Sequence, residues 1–235
     1  MSVTSRKTLL SDLDAGALSI TPFNIKNLAN TSYDVRLGEW YYEQHALDKN
    51  EIFNPFYEPH TQKLYGEAKR ARAVSELASL NNPFHKLKPS DLVIIINPAE
   101  MILGHTLEFI GGRNRPDLGR AYTSEMRARS SVGRIGIGVC KCAGWGDIGY
   151  INRWTMEITN FSNSAVVLAV GMRIAQIIFH RTESVDTNED YSSLTGKYQN
   201  KDSLEDLIKN WSPSQMLPKL YSDPDLGHFA EHYRL

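Results

Sequence analysis

Cysteine is almost missing from this sequence: of 235 residues only Cys140 and Cys142 carry a thiol, spaced C-x-C. Residues two apart on a strand share a face, and that spacing does not favour a bridge between them. A disulfide scaffold is therefore excluded, and a reducing, cytoplasmic setting is expected (the host's cytoplasm if the source is viral). Excess charge is missing too. The 27 acids and 26 bases give a formal charge of −1, without the basic footprint of a nucleic-acid polymer binder. Small phosphorylated ligands stay open, because a few local Arg and Lys side chains suffice for them. The N-terminus MSVTSRKTLLSDLDAG has no apolar core of a secretion signal. The longest apolar stretch, Ala165 to Phe179, is interrupted by Gly171, Arg173 and Gln176, too short and too polar to span a bilayer. No membrane partner is expected. Internal repeats and low-complexity tracts are also absent.

What remains is ordinary globular composition, 41% apolar and 23% charged, enough to bury a core without staples. Thr8 to Ala17 reads as an opening helix and Ser32 to Leu37 as a strand. Residues 45–66 mix Pro55, Pro59 and aromatics without period and read as an ordered insertion or arm. Glu67 to Leu80 is rich in Ala, Glu, Arg and Leu, which predicts a helix stopped by Asn81-Asn82-Pro83. From Leu92 onward the texture is short β-branched runs. These are Val93 to Ile96, the alternating Ile135, Ile137 and Val139, then Trp154, Met156 and Ile158, Val166 to Val170, and Ile174 to Phe179. Evenly spaced short strands with Gly, Pro and Asn between them predict a β-barrel or sandwich over residues 90–182. Ser203 to Lys209 reads as a last helix, and the tail with Pro213, Pro218 and Pro224 as an extended arm.

Four segments stand out chemically, each with a plain alternative. On the strand from Trp154 to Thr159, side chains alternate between two faces, so Thr155, Glu157 and Thr159 share a small polar face holding one acid. Buried, that carboxyl would have a raised pKa and could exchange protons near neutral pH; otherwise it is a surface Glu or the partner of an Arg. The segment Arg127 to Arg134 sets Arg127, Arg129 and Arg134 beside Ser130, Ser131 and Gly133. That suits phosphate recognition, or it is a solvated basic loop. Ala143 to Tyr150 is a glycine-rich turn with Trp145, Asp147 and Tyr150, able to hold a sugar or simply a hairpin capped by Asp. Tyr191 followed by Gly196-Lys197-Tyr198-Gln199 could close over a phosphorylated ligand or be a loose tail.

Taken in order, these segments resemble the dCTP deaminase family, relatives of the trimeric dUTPases. The matching text is Arg129-Ser130-Ser131-Val132-Gly133-Arg134-Ile135-Gly136, Ala143 to Tyr150, Thr155-Met156-Glu157-Ile158, Gly171-Met172-Arg173-Ile174-Ala175-Gln176 and Lys197-Tyr198-Gln199. Upstream, Leu13 to Gly16 and Ser32 to Gly38 fit more thinly.

The resemblance implies a mainly β fold with peripheral helices. That is a dUTPase-like β-barrel (β-clip) in a homotrimer, with active sites at subunit interfaces. One domain over 1–200 would carry an insertion at about 45–85, followed by a helix and tail over 201–235. Glu157 would be the base and acid that deaminates the cytosine of dCTP, without a metal on the attacking water. The Ser131, Arg134 and Ala143 region would hold that water. Arg129, Ser130, Ser131, Tyr191 and Lys197, with Gln199, would bind the triphosphate as its Mg²⁺ complex. Asp147 would hold the 3′-hydroxyl, and Tyr150 would pack on the sugar. Gly144-Trp145, where some members carry His-Arg, resembles the bifunctional subgroup that turns dCTP directly into dUMP, with Asp147 activating a second water. Gly146, where an Ile is usual, is expected to loosen the turn, and Lys201 stands where a second Gln often follows K-Y-Q.

Zinc is not expected: the zinc deaminase signature of H-x-E and P-C-x-x-C is absent. His228-Phe229-Ala230-Glu231-His232 matches H-x-x-E-H but lies three residues from the end, without room for a downstream third ligand. Two other functions fit the same motifs. A dUTPase acting on dUTP alone would leave Glu157 unexplained, and a nucleotide-binding regulator would bind without turnover.

Overall fold

The structure is a computed structural model that describes residues 2–77, 84–186, 189–194, 196–199 and 203–231. Among them, every strand pairing is antiparallel and the strands form three sheets. The first is built on Arg120–Ala128 against Arg173–Thr182, flanked by Tyr33–Arg36 and the short Trp145–Gly146. The second is built on Met101–Gly112 against Ile151–Asn160, with Leu18–Thr21 and Trp40–Glu43 also on Met101–Gly112. The third joins Val166–Ala169, Leu92–Ile96 and Arg72–Ala73. The predicted mainly β architecture with peripheral helices is what forms.

Alternation explains how two sheets share one core. In Ile151–Asn160 the buried Trp154, Met156 and Ile158 point inward while Arg153, Thr155 and Glu157 stay half-buried on the opposite face. Across the interior, Ile174, Ile177 and Phe179 of Arg173–Thr182 are fully buried with Tyr33, Val35 and Leu37. The opening helix, Arg6–Asp14, starts where Ser5 Oγ accepts the Thr8 N–H at 3.3 Å. The late helix, Leu204–Asn210, starts at Ser203, whose Oγ accepts from Asp206 N at 3.1 Å. Both agree with the sequence reading to within two or three residues at each end.

Three expectations fail. The helix expected over Glu67 to Leu80 does not form among the described residues. Lys69–Arg70 and Arg72–Ala73 are short strands, followed by the 3-10 turn Val74–Leu77, while residues 78–83 lie outside the described chain. Its residues favour a helix in isolation. Here they pair with Trp40–Glu43 and Leu92–Ile96, and Ala71, Val74 and Leu77 are buried, so tertiary pairing overrides propensity. A real helix sits earlier, Glu58–Tyr65, inside the expected insertion. The alternation of Ile135, Ile137 and Val139 yields only the two-residue strand Ile137–Gly138, because Ser130–Arg134 coils into a helical turn just before it. The tail is not an extended arm. Pro213–Met216 is a 3-10 turn, and Trp211, Met216 and Leu217 pack with Trp40, Tyr42, Tyr65 and Leu103 in a second apolar cluster.

Two glycines are dictated by what approaches them. A Cβ on Gly38 would lie 1.9 Å from the His105 ring, and one on Gly146 would lie 2.5 Å from the Trp154 indole. Gly146 therefore does not loosen the turn; the indole fills the space a side chain would take, and its Nε1 donates to Ile110 O at 2.9 Å.

His105 is buried in its neutral form. Nδ1 donates to Thr106 O at 2.8 Å, Nε2 accepts from Trp40 N at 3.3 Å, and burial pushes its pKa down to about 4. With the folded-state pKa below the unfolded one, the unfolded chain binds the extra proton between roughly pH 6.5 and 4. This group's contribution is thus fully present above about pH 6.5 and lost as pH falls toward 4. The expected loss is on the order of 3 kcal/mol. Chemical denaturation from pH 7 to 4 should show that slope in the native protein and a flatter one in His105→Gln; equal slopes would contradict the assignment.

Candidate active site

A cavity of about 450 Å³ opens between the two larger sheets and the C-terminal segment, within the usual size of small-ligand sites. Its floor is the outward face of Ile151–Asn160, so Arg153, Thr155 and Glu157 all line it. A register shift between Arg153 and Thr155 interrupts the ladder there, and Thr106 Oγ1 takes the Trp154 N–H at 2.9 Å. Such bulges re-aim side chains beside functional sites.

Glu157 is the unusual group. Its Oε2 is buried and has no hydrogen-bond partner among the described residues. Burial pushes its pKa up, opposed by a hydrogen bond to its own backbone and by the Lys141 ammonium. A desolvated carboxyl lining a cavity is equipped to take and give protons near neutral pH.

The glycine-rich turn supplies the rim. Trp145 Nε1 donates to Asp147 Oδ1 at 3.1 Å, which fixes one carboxylate oxygen of an otherwise exposed Asp147. The Trp145 ring stacks on His180 at 6.0 Å, and His180 Nε2 meets Glu125 Oε2 at 3.1 Å. Tyr150 ends the turn that begins at Asp147, closed by the Tyr150 N–H to Asp147 O at 3.1 Å. Its ring stands edge-on to Trp154 at 5.5 Å and Tyr191 at 5.1 Å, and burial raises its pKa. Ala143 also lines the cavity.

Of the residues named from sequence, Glu157, Asp147, Ala143, Trp145, Tyr150 and Tyr191 thus meet in one cavity. Lys197 and Gln199 are adjacent but engaged elsewhere. Lys197 Nζ binds Asp223 Oδ2 at 2.7 Å. The Gln199 amide accepts from Ile151 N at 2.6 Å and donates to Gly149 O at 3.0 Å, docking the K-Y-Q segment on the turn. Lys201 lies outside the described residues. Arg129, Ser130, Ser131 and Arg134 do not line this cavity. Ser130, Ser131 and Arg134 are exposed, and Arg129 Nε faces Asp34 Oδ2 at 3.4 Å, which Arg173 Nη1 also reaches at 3.2 Å.

Sequence reasoning missed part of the wall: Tyr65 at the end of the helix Glu58–Tyr65, Arg153 and Asn152 of the floor, and the tail residues Trp211, Gln215 and Met216; Tyr198, from the segment singled out in the sequence, lines it too. Arg153 was findable, since it lies on the same alternate face as Thr155 and Glu157. Nothing local marks Tyr65 or Trp211; both reach the site through contacts far apart in sequence.

In the decoy at residues 228–232, His228 Nδ1 meets Glu231 Oε1 at 3.1 Å and His232 lies outside the described residues. Among the described residues no group of three or more His, Cys, Asp or Glu is placed to hold a metal ion, and no helix is long and apolar enough to cross a membrane.

The chain is similar to known proteins along most of its length. The sequence model of the dCTP deaminase-like family matches residues 3–182. A Methanopyrus kandleri protein named "dCTP deaminase, dUMP-forming" is 41% identical over 46% of this chain, and the match spans only 53% of that protein. A Rhodococcus opacus protein of the same name is 29% identical over 83% of this chain and 89% of its own length. Among solved structures, the 2′-deoxycytidine 5′-triphosphate deaminase of Agrobacterium tumefaciens has TM-score 0.50 at 14% identity. That likeness of fold covers 79% of this chain and 49% of the larger one. On this match, which spans both the polar strand face and the glycine-rich turn, the chain belongs to the dCTP deaminase-like family.

Proposed function

We propose that this protein deaminates dCTP by metal-free hydrolysis and carries the product on to dUMP and diphosphate. The observation that carries the reading is Glu157: a buried carboxyl with one unpartnered oxygen, lining a cavity that also holds Asp147 and Tyr150. Ionised Glu157 takes a proton from water, whose oxygen bonds to C4 of the cytosine. The same carboxyl returns the proton to N3, and a second transfer lets the C4–N4 bond break with loss of ammonia. Asp147 holds the 3′-hydroxyl and serves as base for a second water, which attacks the α-phosphorus as diphosphate leaves. Tyr150 packs on the deoxyribose. Lys141 also lines the cavity, and its charge favours ionised Glu157.

The exposed Ser130, Ser131 and Arg134 find a use in a homotrimer. There, with Arg129, they would complete the cavity of a neighbouring subunit and bind the triphosphate together with Tyr191, Lys197 and Gln199. Lys197 must leave Asp223 to do so. Mg²⁺ enters as the counter-ion of the triphosphate. In this reading residues 1–200 are the catalytic domain and 201–235 a tail that completes its wall. The free thiols of Cys140 and Cys142 suit a reducing cytoplasm.

Purified protein with Mg²⁺ should release ammonia from dCTP and not from CTP, since a ring packed on the sugar disfavours a 2′-hydroxyl. Absence of ammonia from dCTP would defeat the reading; hydrolysis of dUTP alone would then leave a dUTPase.

A further inference from the structure

Arg153 is a cation in the cavity wall that forms no ion pair among the described residues. Its guanidinium lies between two rings, 5.0 Å from the centroid of Phe109 and 4.4 Å from that of Trp211. Its Nε is buried and has no hydrogen-bond partner among the described residues. The carboxylates that act on it, Glu39 and Glu108, are each taken by another arginine: Arg70 Nε binds Glu39 at 2.7 Å, and Arg36 Nε binds Glu108 at 2.6 Å. Burial pulls its pKa down, the mark of a cation held at a cost. A hydrophobic isostere in place of a poorly compensated buried charge is often neutral or stabilising, so the need to pack the two rings does not by itself call for a cation. Stacking fixes the plane of the fork but supplies no acceptor, so its donors are left for whatever enters the cavity. Trp211, one of the two plates, lies in the C-terminal segment, outside the residues 3–182 that the family model matches.

We propose that Arg153 is a ligand-contacting residue, its stacked guanidinium taking an oxygen of the bound nucleotide, either of a phosphate or of the pyrimidine carbonyl. The assignment rests on the cavity being a dCTP site. A planar fork in a half-dry wall binds an oxygen acceptor more strongly than an exposed Lys does. It would orient the nucleotide on the strand face that carries Glu157, four residues along.

The test is calorimetric titration of dCTP, tripolyphosphate and deoxycytidine into the full-length protein and its Arg153→Met and Arg153→Lys variants, all carrying Glu157→Gln so that dCTP is bound and not consumed, with thermal melting of each unliganded protein. Arg153→Met should melt no lower than the Glu157→Gln parent yet bind dCTP about 10- to 100-fold more weakly, with Arg153→Lys between. A parallel loss of tripolyphosphate affinity identifies a phosphate oxygen; a loss confined to dCTP and deoxycytidine identifies the base carbonyl. Unchanged dCTP affinity in Arg153→Met overturns the proposal, as does a drop in melting temperature that tracks the affinity loss, which marks a structural role. If Arg153→Met does not fold, the Arg153→Lys titration decides, and the parent's affinity there overturns it equally. A parent protein that binds no dCTP overturns the functional reading itself, and the parent titration reports that separately from the Arg153 variants.

Discussion

Replacing Glu157 with glutamine is expected to slow ammonia release from dCTP by about 10²–10⁴-fold, the usual worth of a positioned acid–base group. The affinity for dCTP should stay within a few-fold. Glutamine keeps the volume of the side chain and fills the same space beside Thr155, so shape and phosphate contacts survive. What it cannot do is take the proton of the attacking water or return it to the leaving nitrogen. The loss should therefore fall on kcat and leave KM nearly unchanged. The pH profile follows from the same burial. The reaction needs Glu157 ionised at the start, and burial holds its pKa above the ordinary carboxylate value. The acid limb of kcat/KM should accordingly lie above that ordinary value, with activity lost as pH falls through it. For stability the sign is opposite: a carboxyl with a raised folded-state pKa favours the fold at low pH and disfavours it above. Native ammonia release by Glu157→Gln, or an acid limb at the ordinary carboxylate value, would remove Glu157 from the mechanism.

Asp147→Asn should change the product. Trp145 Nε1 donates to one carboxylate oxygen, and asparagine can present its own oxygen to the same donor while still bonding a 3′-hydroxyl. Deamination is expected to fall by no more than about 10-fold, while diphosphate release falls by about 10² or more, because an amide cannot act as base for the second water. dCTP would then accumulate as dUTP. An unchanged yield of dUMP from Asp147→Asn would show that another group activates that water.

How far the sequence carried these assignments depends on the range of the interactions. The Glu157 face was legible because strand alternation is a rule of period two: Trp154, Met156 and Ile158 turn into the core and force Thr155 and Glu157 out. The opening and late helices and the turn at Asp147 are equally local. The failure over Glu67 to Leu80 is instructive for the opposite reason. Local propensity there favours a helix, and only the edges of Trp40–Glu43 and Leu92–Ile96 offer the hydrogen bonds that draw Lys69–Ala73 into strands. Trp211 and Met216 follow the same logic. They have neither motif nor period, yet they close the cavity because an apolar cluster from three distant segments needs covering. Gly146 was misread because the space its missing side chain leaves is filled by Trp154, eight residues on. The proposed homotrimer is what would unite the cavity residues with the exposed Ser130, Ser131 and Arg134, and a single chain's periodicity is blind to it.

The most direct test of the account is to incubate the purified protein with Mg²⁺ and dCTP and resolve the nucleotides over time by anion-exchange chromatography. dCTP is expected to be consumed with dUMP as the end product, diphosphate appearing in equal amount. Persistence of dCTP at enzyme concentrations that saturate with the nucleotide would contradict it.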